Sequence, residues 1–224
     1  MTADFSVQRD KMVEGQLRTN DVTNVPLLSA MREIPREVFV PAKRRSLAYI
    51  DEDLEVAAAG ETTPARYLME PASFGRLVQL AAVTADDFVL DIGCATGYSA
   101  AVLSRLASSV IALECDPALA ESAAATLSSL GCDNVAVVEG PLQEGLAAEA
   151  PYDVIFIGGA VDLVPEALLD QLKDGGRLVA VVGRGNAAVA RLYVKEDGIV
   201  SQRRAFNAAV QPLPGFERPP AFVF

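Results

Sequence analysis

The sequence has no histidine and no tryptophan among its 224 residues. Without imidazole there is no Ser–His or Cys–His nucleophile pair, no histidine general base and no histidine metal ligand. Cysteine is scarce: Cys94, Cys115 and Cys132 are the only ones, and they lie in apolar or turn contexts. Three scattered thiols make neither a disulfide scaffold nor a zinc site, so no metal is expected and a reduced, cytoplasmic setting is. Cations are outnumbered, 19 Lys and Arg against 30 Asp and Glu, giving a net charge of −11. That balance disfavours a broad nucleic-acid or anionic-membrane surface, which needs clustered Lys and Arg. The local "KRR" at Lys43 to Arg45 reads as a solvated helix face. Long apolar runs are missing too. "VIFIGGAV" is the longest candidate and is cut by Asp162, short of the roughly 20 residues that span a membrane. The opening "MTADFSVQRDKMVEGQ" has no apolar core of the kind a secretory signal carries.

What is present is apolar and periodic. Half of the chain, 51%, is hydrophobic, enough for a sizeable core. From Phe88 onward, short apolar runs alternate with helical patterns. "FVLDI", "VIALE", "NVAVVEG", "YDVIFIGG" and "GGRLVAVVG" read as five strands. Between them "GYSAAVLSRLA", "DPALAESAAATLSSL" closed by Gly131, and "VPEALLDQL" with Pro165 at its start read as helices. A strand–helix–strand series of this kind predicts a doubly wound, mainly parallel, Rossmann-like α/β sheet. Two extended runs joined by "EDG" in "AVARLYVKEDGIVSQRRAF" predict an antiparallel hairpin at one edge. The proline-rich tail "QPLPGFERPPAFVF" is expected to wrap the surface before a last short strand. Ahead of Phe88 the chain reads as N-terminal helices: "SVQRDKMVEGQLRT", "VPLLSAMREI", a short "AKRRSLAY", and "PASFGRLVQLAAV" leading into the first strand. Residues 51–70 read as irregular. No linker separates folding units, so 1–224 is expected to be one domain, with a helical and loop portion at 1–85 and a sheet portion at 86–224.

The turn after the first strand, "DIGCATGY", spaces Gly93, Ala95 and Gly97 as G-x-A-x-G, with Tyr98 where the third glycine of a dinucleotide fingerprint belongs. Ala95 adds only a methyl group. Asp91, two residues before Gly93, would repel a pyrophosphate on the helix N-terminus and suits a ligand with a cationic group. Glu114, at the end of the next strand, can accept both ribose hydroxyls. Together they favour S-adenosylmethionine over a dinucleotide. The plainer alternative makes Asp91 a helix cap and Glu114 a solvated strand end.

"LDIGCATGY", "VIALECDPALAESA" and "PYDVIFIGGA…LLDQLKDGGRLVAVVG" resemble the successive motifs of class I S-adenosylmethionine-dependent methyltransferases. "MVEGQLRTNDVTNVPLLSAMREIPREVFVPAKRRSLAYIDEDL" resembles, more specifically, the opening of the protein-L-isoaspartate O-methyltransferases. The resemblance covers most of residues 8–185. It implies a class I methyltransferase fold, S-adenosylmethionine as cofactor, and methylation of isoaspartyl carboxylates in damaged proteins or peptides. It implies a cofactor site of Asp91, Gly93, Cys94, Ala95, Thr96, Gly97, Tyr98, Glu114 and Cys115, completed by Pro141 and Leu142.

Two stretches depart from the family pattern. The substrate loop of the type "GQTISQP" is here "ARYLMEP", Ala65 to Pro71. Pro71 matches, but Arg66 replaces a glutamine, Tyr67 a threonine, and Met69 the active-site serine or threonine; Leu68 lies between them. The segment from Ala57 to Pro64 is also longer than usual. "VEGPLQEG" puts Pro141 and Leu142 where the family has the Asp-Gly of an adenine-contacting "GDG". Arg66 is either a bidentate partner for a substrate carboxylate or a solvated loop arginine. Met69 reads as an apolar wall, Thr62 and Thr63 as turn residues, and Cys94 and Cys115 as small apolar fillers. Two other readings remain beside isoaspartyl methylation: a methyltransferase for another acceptor, and a cofactor-binding protein without activity. A dehydrogenase is disfavoured by Asp91 and Tyr98. A nucleic-acid methyltransferase is disfavoured by the charge and by "IGGA", where an Asn-Pro-Pro-type motif belongs.

Overall fold

Near-continuous apolar runs, covered on both faces, build the central sheet. In the computed structural model, which describes residues 4–60 and 63–218, that sheet has seven strands. They are β3 (Phe88–Ile92), β4 (Ser109–Glu114), β5 (Val135–Glu139), β6 (Tyr152–Val161), β7 (Leu172–Val182), β8 (Val189–Glu196) and β9 (Ile199–Asn207). Their order is β5-β4-β3-β6-β7-β8-β9. The first five in that order run parallel, and β8 and β9 add the antiparallel edge expected from "EDG". Asp197 and Gly198 both take positive φ, 51° and 75°, in the turn between them, which matches the twist of a tight hairpin. Sequence order reverses between β3 and β6, so a crevice opens at their carboxyl ends.

The alternation sorts the core into two layers. Val89, Val154, Phe156 and Val179 face one cluster; Leu90, Ile155, Ile157 and Leu178 face the other. The first layer is covered by α1 (Phe5–Met12), α2 (Val25–Glu33), α3 (Pro71–Ala81), α4 (Tyr98–Ser104) and α5 (Pro117–Ser129). The second is covered by α6 (Glu166–Asp170), Leu142 and the tail residues Leu213 and Phe216. Asn24 caps α2 through its side chain and Asp116 caps α5, each accepting from the free amides of a first turn. At the far end of α3, Arg177 from β7 donates to the carbonyls of Ala81 and Ala82, both at 2.7 Å, and pairs with Asp87. That fixes where α3 stops and β3 begins.

Three expectations change. Residues 51–70 are not wholly irregular: β1 (Leu54–Ala57) and β2 (Arg66–Leu68) pair antiparallel, with Leu54 opposite Leu68 and Ala57 opposite Arg66. Leu54, Val56 and Leu68 point into the core, and the long insert between the two short runs hides their pairing from a local reading. The short helix at Ala42–Leu47 is a 3₁₀ turn, where Arg44 pairs with Glu55 at 2.8 Å. The tail does more than wrap the surface. The Ala160 amide donates to the Gln211 carbonyl, the Leu213 amide donates to the Ala160 carbonyl, each at 2.9 Å, and Leu213 is buried. The expected last strand falls on residues 219–224, outside the described residues.

Candidate functional site

The crevice is built from strand ends and what folds over them. Gly93 (φ 81°) and Gly97 (φ 96°) are in the left-handed region, and so is Ala95, at φ 49°. An alanine can hold that conformation at modest cost, and its amide is used: it donates to Glu114 Oε2 at 2.8 Å. Ala95 therefore still turns a donor inward where the fingerprint has glycine.

Asp91, at the end of β3, is fully buried. Its Oδ2 accepts from the Ser99 hydroxyl at 2.6 Å, and its Oδ1 has no partner. Burial, opposed by the Ser99 hydrogen bond and reinforced by the charge of Glu114, pushes its carboxyl up to about 7. An unsatisfied buried carboxylate oxygen is costly and points to a cationic or donor group that completes it. Glu114, at the end of β4, is also fully buried. Besides the Ala95 amide it accepts from the amides of Cys115 and Asp116 at 2.9 and 3.1 Å.

The same carboxylate carries a second set of bonds. Arg66 on β2 reaches over Gly93 and grips both its oxygens, Nη1 on Oε1 and Nη2 on Oε2, the latter at 2.9 Å. Only 3% of the Arg66 side chain is exposed. Leu213 closes the other side: a Cβ placed on Gly93 would lie 2.8 Å from Leu213 Cδ2, and one on Gly159 2.8 Å from Leu213 Cγ.

The other expected site residues divide. Cys94 is buried beside the Glu114 carboxylate, with its thiol pushed well up by burial; the Cys115 thiol is pushed up to about 11, also by burial first. Neither is a thiolate at neutral pH, which removes both as nucleophiles. Thr96 turns away and donates to the Phe39 carbonyl at 2.8 Å. Tyr98 starts α4 and packs inward against Phe39 and Phe74. Its ring also carries the guanidinium of Arg36, 4.7 Å from the centroid. Leu142 is buried in the core of the second layer, while Pro141 is exposed past the end of β5. The Gly140 amide donates to the Glu114 carbonyl at 3.0 Å, bringing this turn beside the acidic strand end.

In the substrate loop, Tyr67 and Met69 line both of two adjoining small cavities, of about 10 and 20 Å³. Leu68 and Phe74 line the larger of these, next to Gly93 and Phe156. Pro71 is buried at the first position of α3. The loop is held from behind: Arg36, fully buried, donates through Nη2 to the Met69 carbonyl at 2.7 Å and through Nε to the Ala48 carbonyl at 2.8 Å. Asp53 accepts from the amides of Glu70 (2.8 Å) and Gln211 (2.9 Å), tying loop to tail. Thr63 is exposed in a turn, its carbonyl accepting from Gly60; Thr62 lies outside the described residues. On the far side of Arg66 a roomier cavity of about 320 Å³ is lined by Pro64, Cys115, Asp116, Pro117 and Pro214. Sequence reasoning missed Ser99, Arg36, Asp53 and Leu213. Only Ser99 leaves a local trace, one helical turn past the glycine loop.

The family model for protein-L-isoaspartate(D-aspartate) O-methyltransferase (PCMT) matches residues 7–216. The chain belongs to this family. Among curated members, one from Koribacter versatilis is 36% identical over 211 residues, 94% of this chain and 92% of that one. One from Roseiflexus castenholzii is 37% identical over 212 residues, 95% and 94% of the two chains. Both are named protein-L-isoaspartate O-methyltransferase. A solved structure of that name superposes with a TM-score of 0.81 at 29% identity, covering 92% of this chain and 66% of that one. A second, a Plasmodium falciparum protein in complex with S-adenosyl-L-homocysteine, has a TM-score of 0.75 at 18% identity and shares the fold. The class I methyltransferase fold expected from the motifs is the fold found. No described helix is long and apolar enough to cross a membrane.

The cofactor this family implies fits the donor set. Asp91 offers a buried, unpartnered oxygen to a cation, and Glu114 offers a carboxylate oriented by three backbone amides.

Proposed function

We propose that the chain is an S-adenosylmethionine-dependent O-methyltransferase acting on isoaspartyl carboxylates of damaged proteins or peptides, as the family name describes. The observation that carries this is family membership across residues 7–216 combined with the two buried carboxylates at the sheet's switch point. Asp91 would hold the cofactor's cationic amino-acid end and Glu114 its ribose. The loop amides of 93–97 shape the turn beneath, and Cys115 with the Pro141–Leu142 turn borders the base. When bound, the cofactor supplies a methyl group activated by a sulfonium.

The protein's own task is then modest. The acceptor carboxylate is already ionised at neutral pH, so no histidine is required. What matters is holding its oxygen about 3–3.5 Å from the methyl and keeping water out. Tyr67, Leu68, Met69 and Pro71 form the acceptor side of the cleft in this reading. Met69 contributes an apolar wall where a hydroxyl donor would sit, and losing one such donor lowers a rate by on the order of 10²–10³. That substitution, with Tyr67 beside it in both small cavities, favours a second reading: methylation of a different acceptor carboxylate.

We further propose one domain over 1–224, a cytoplasmic location, and neither nucleic-acid nor membrane partners. The test has two stages. Calorimetry should show S-adenosylhomocysteine binding and no NADH binding; the reverse ends the methyltransferase reading. Incubation with an isoaspartyl peptide and labelled donor should then transfer label. Cofactor binding without transfer leaves the fold and removes the isoaspartyl assignment.

A further inference from the structure

We propose that Arg66 exchanges partners during the reaction, leaving Glu114 when the cofactor's ribose arrives and turning to hold the acceptor carboxylate. The proposal rests on the cofactor site given above. Arg66 occupies both oxygens of Glu114, the acceptors on which two ribose hydroxyls would sit. The two arrangements are mutually exclusive. Glu114 does not need the guanidinium to remain satisfied, since three backbone amides also donate to it. The arginine is therefore removable.

Its destination is also marked. Arg66 lies between two spaces, the roomier cavity beside Cys115 and the small one shared with Tyr67 and Met69. Among the described residues it is the one cation lining either of the two small cavities that meet at Met69. A carboxylate entering there meets Asp53 in the wall of the smaller cavity, so it needs a cation. A guanidinium can pair with it in the same bidentate fashion it uses on Glu114. The loop backbone that follows stays held, Met69 by Arg36 and Glu70 by Asp53, so the exchange is a movement of the Arg66 side chain.

Two consequences follow by linkage. Cofactor affinity is lowered in the free protein, because the ribose competes with an internal ligand. An acceptor carboxylate raises it again, because it captures the displaced arginine, and the coupling is reciprocal.

The experiment is calorimetric titration of the full chain with S-adenosylhomocysteine, with and without saturating isoaspartyl peptide. Arg66→Gln and Arg66→Leu are compared with the parent, and each variant's fold is checked by circular dichroism. Both variants should bind S-adenosylhomocysteine at least tenfold more tightly than the parent. The peptide should tighten the parent's binding about fivefold or more and leave both variants unchanged. Equal or weaker binding by the variants overturns the displacement. Tighter binding with the peptide's effect intact overturns the transfer to the acceptor. If parent and variants all fail to bind at millimolar ligand, the methyltransferase reading falls together with the exchange.

Discussion

Replacing Asp91 with Asn should convert a pH-dependent protein into one that is less so. Asp91 is fully buried with one oxygen unpartnered, and its carboxyl is pushed from 3.8 to about 7, mainly by burial. Between those values the folded chain keeps a proton that the unfolded chain has lost. Stability from this group is therefore complete below about 3.8, falls as pH rises, and is fully lost above about 7. At 1.36 kcal/mol per unit the whole window is worth about 4 kcal/mol, of which about 3 kcal/mol falls between pH 5 and 8. Asn cannot ionise, so its stability relative to the parent should rise by about that amount over the interval. For a chain of this size, the midpoint difference should widen by about 6–12 °C. Binding a cation at Asp91 draws on the ionised form, so the parent's affinity for S-adenosylhomocysteine should climb by up to about tenfold per unit below pH 7 and then level. The Asn variant should bind weakly and without that slope. Thermal unfolding and calorimetry at pH 5, 6, 7 and 8 read both effects. Parallel melting profiles for parent and variant would refute the burial argument, and an unchanged affinity would remove Asp91 from the site.

Met69→Ser restores a hydroxyl at the family's position and should raise kcat on an isoaspartyl peptide by about tenfold or more, at a stability loss of about 2 kcal/mol for the buried side chain; no gain in a labelled-methyl assay favours the different acceptor. Gly93→Ala should destabilise by about 2 kcal/mol through positive-φ strain and the contact with Leu213. Adding Leu213→Ala should show a non-additive recovery in chemical denaturation, and strictly additive losses would sink the steric account. Arg177→Ala removes the clamp on the end of α3 and breaks a largely buried pair with Asp87, which should cost about 3 kcal/mol and lower the melting midpoint by about 6–12 °C. An unchanged midpoint would mean the clamp is dispensable.

The parts of the fold legible in the sequence are those set by local pattern. The runs at Val89–Ile92 and Val154–Ile157 alternate between two buried layers, and such runs read as strands whatever surrounds them. The hairpin of β8 and β9 carried its own turn residues at Asp197 and Gly198. The pairing of Leu54 with Leu68 did not, because strands of four and three residues across an insert have no periodicity to display. At the site, Asp91 and Glu114 were legible because both stand at the carboxyl ends of adjacent strands, Asp91 just before the glycine turn. Arg66 was visible only as an alternative, since its partner is 48 residues away. Leu213 and Arg36 left no signal at all: one donates its amide to the distant Ala160 carbonyl, the other reaches 33 residues to a carbonyl.

That last contact separates two things that active sites often bind together. Arg36 positions the substrate loop through the main-chain oxygen of Met69, a group that every amino acid possesses. Whatever side chain stands at position 69, the loop is anchored in the same place. Selection can therefore vary the wall that meets the acceptor, hydroxyl or thioether, without renegotiating the loop's path. The acceptor preference of such a protein is a replaceable fitting on a fixed mount.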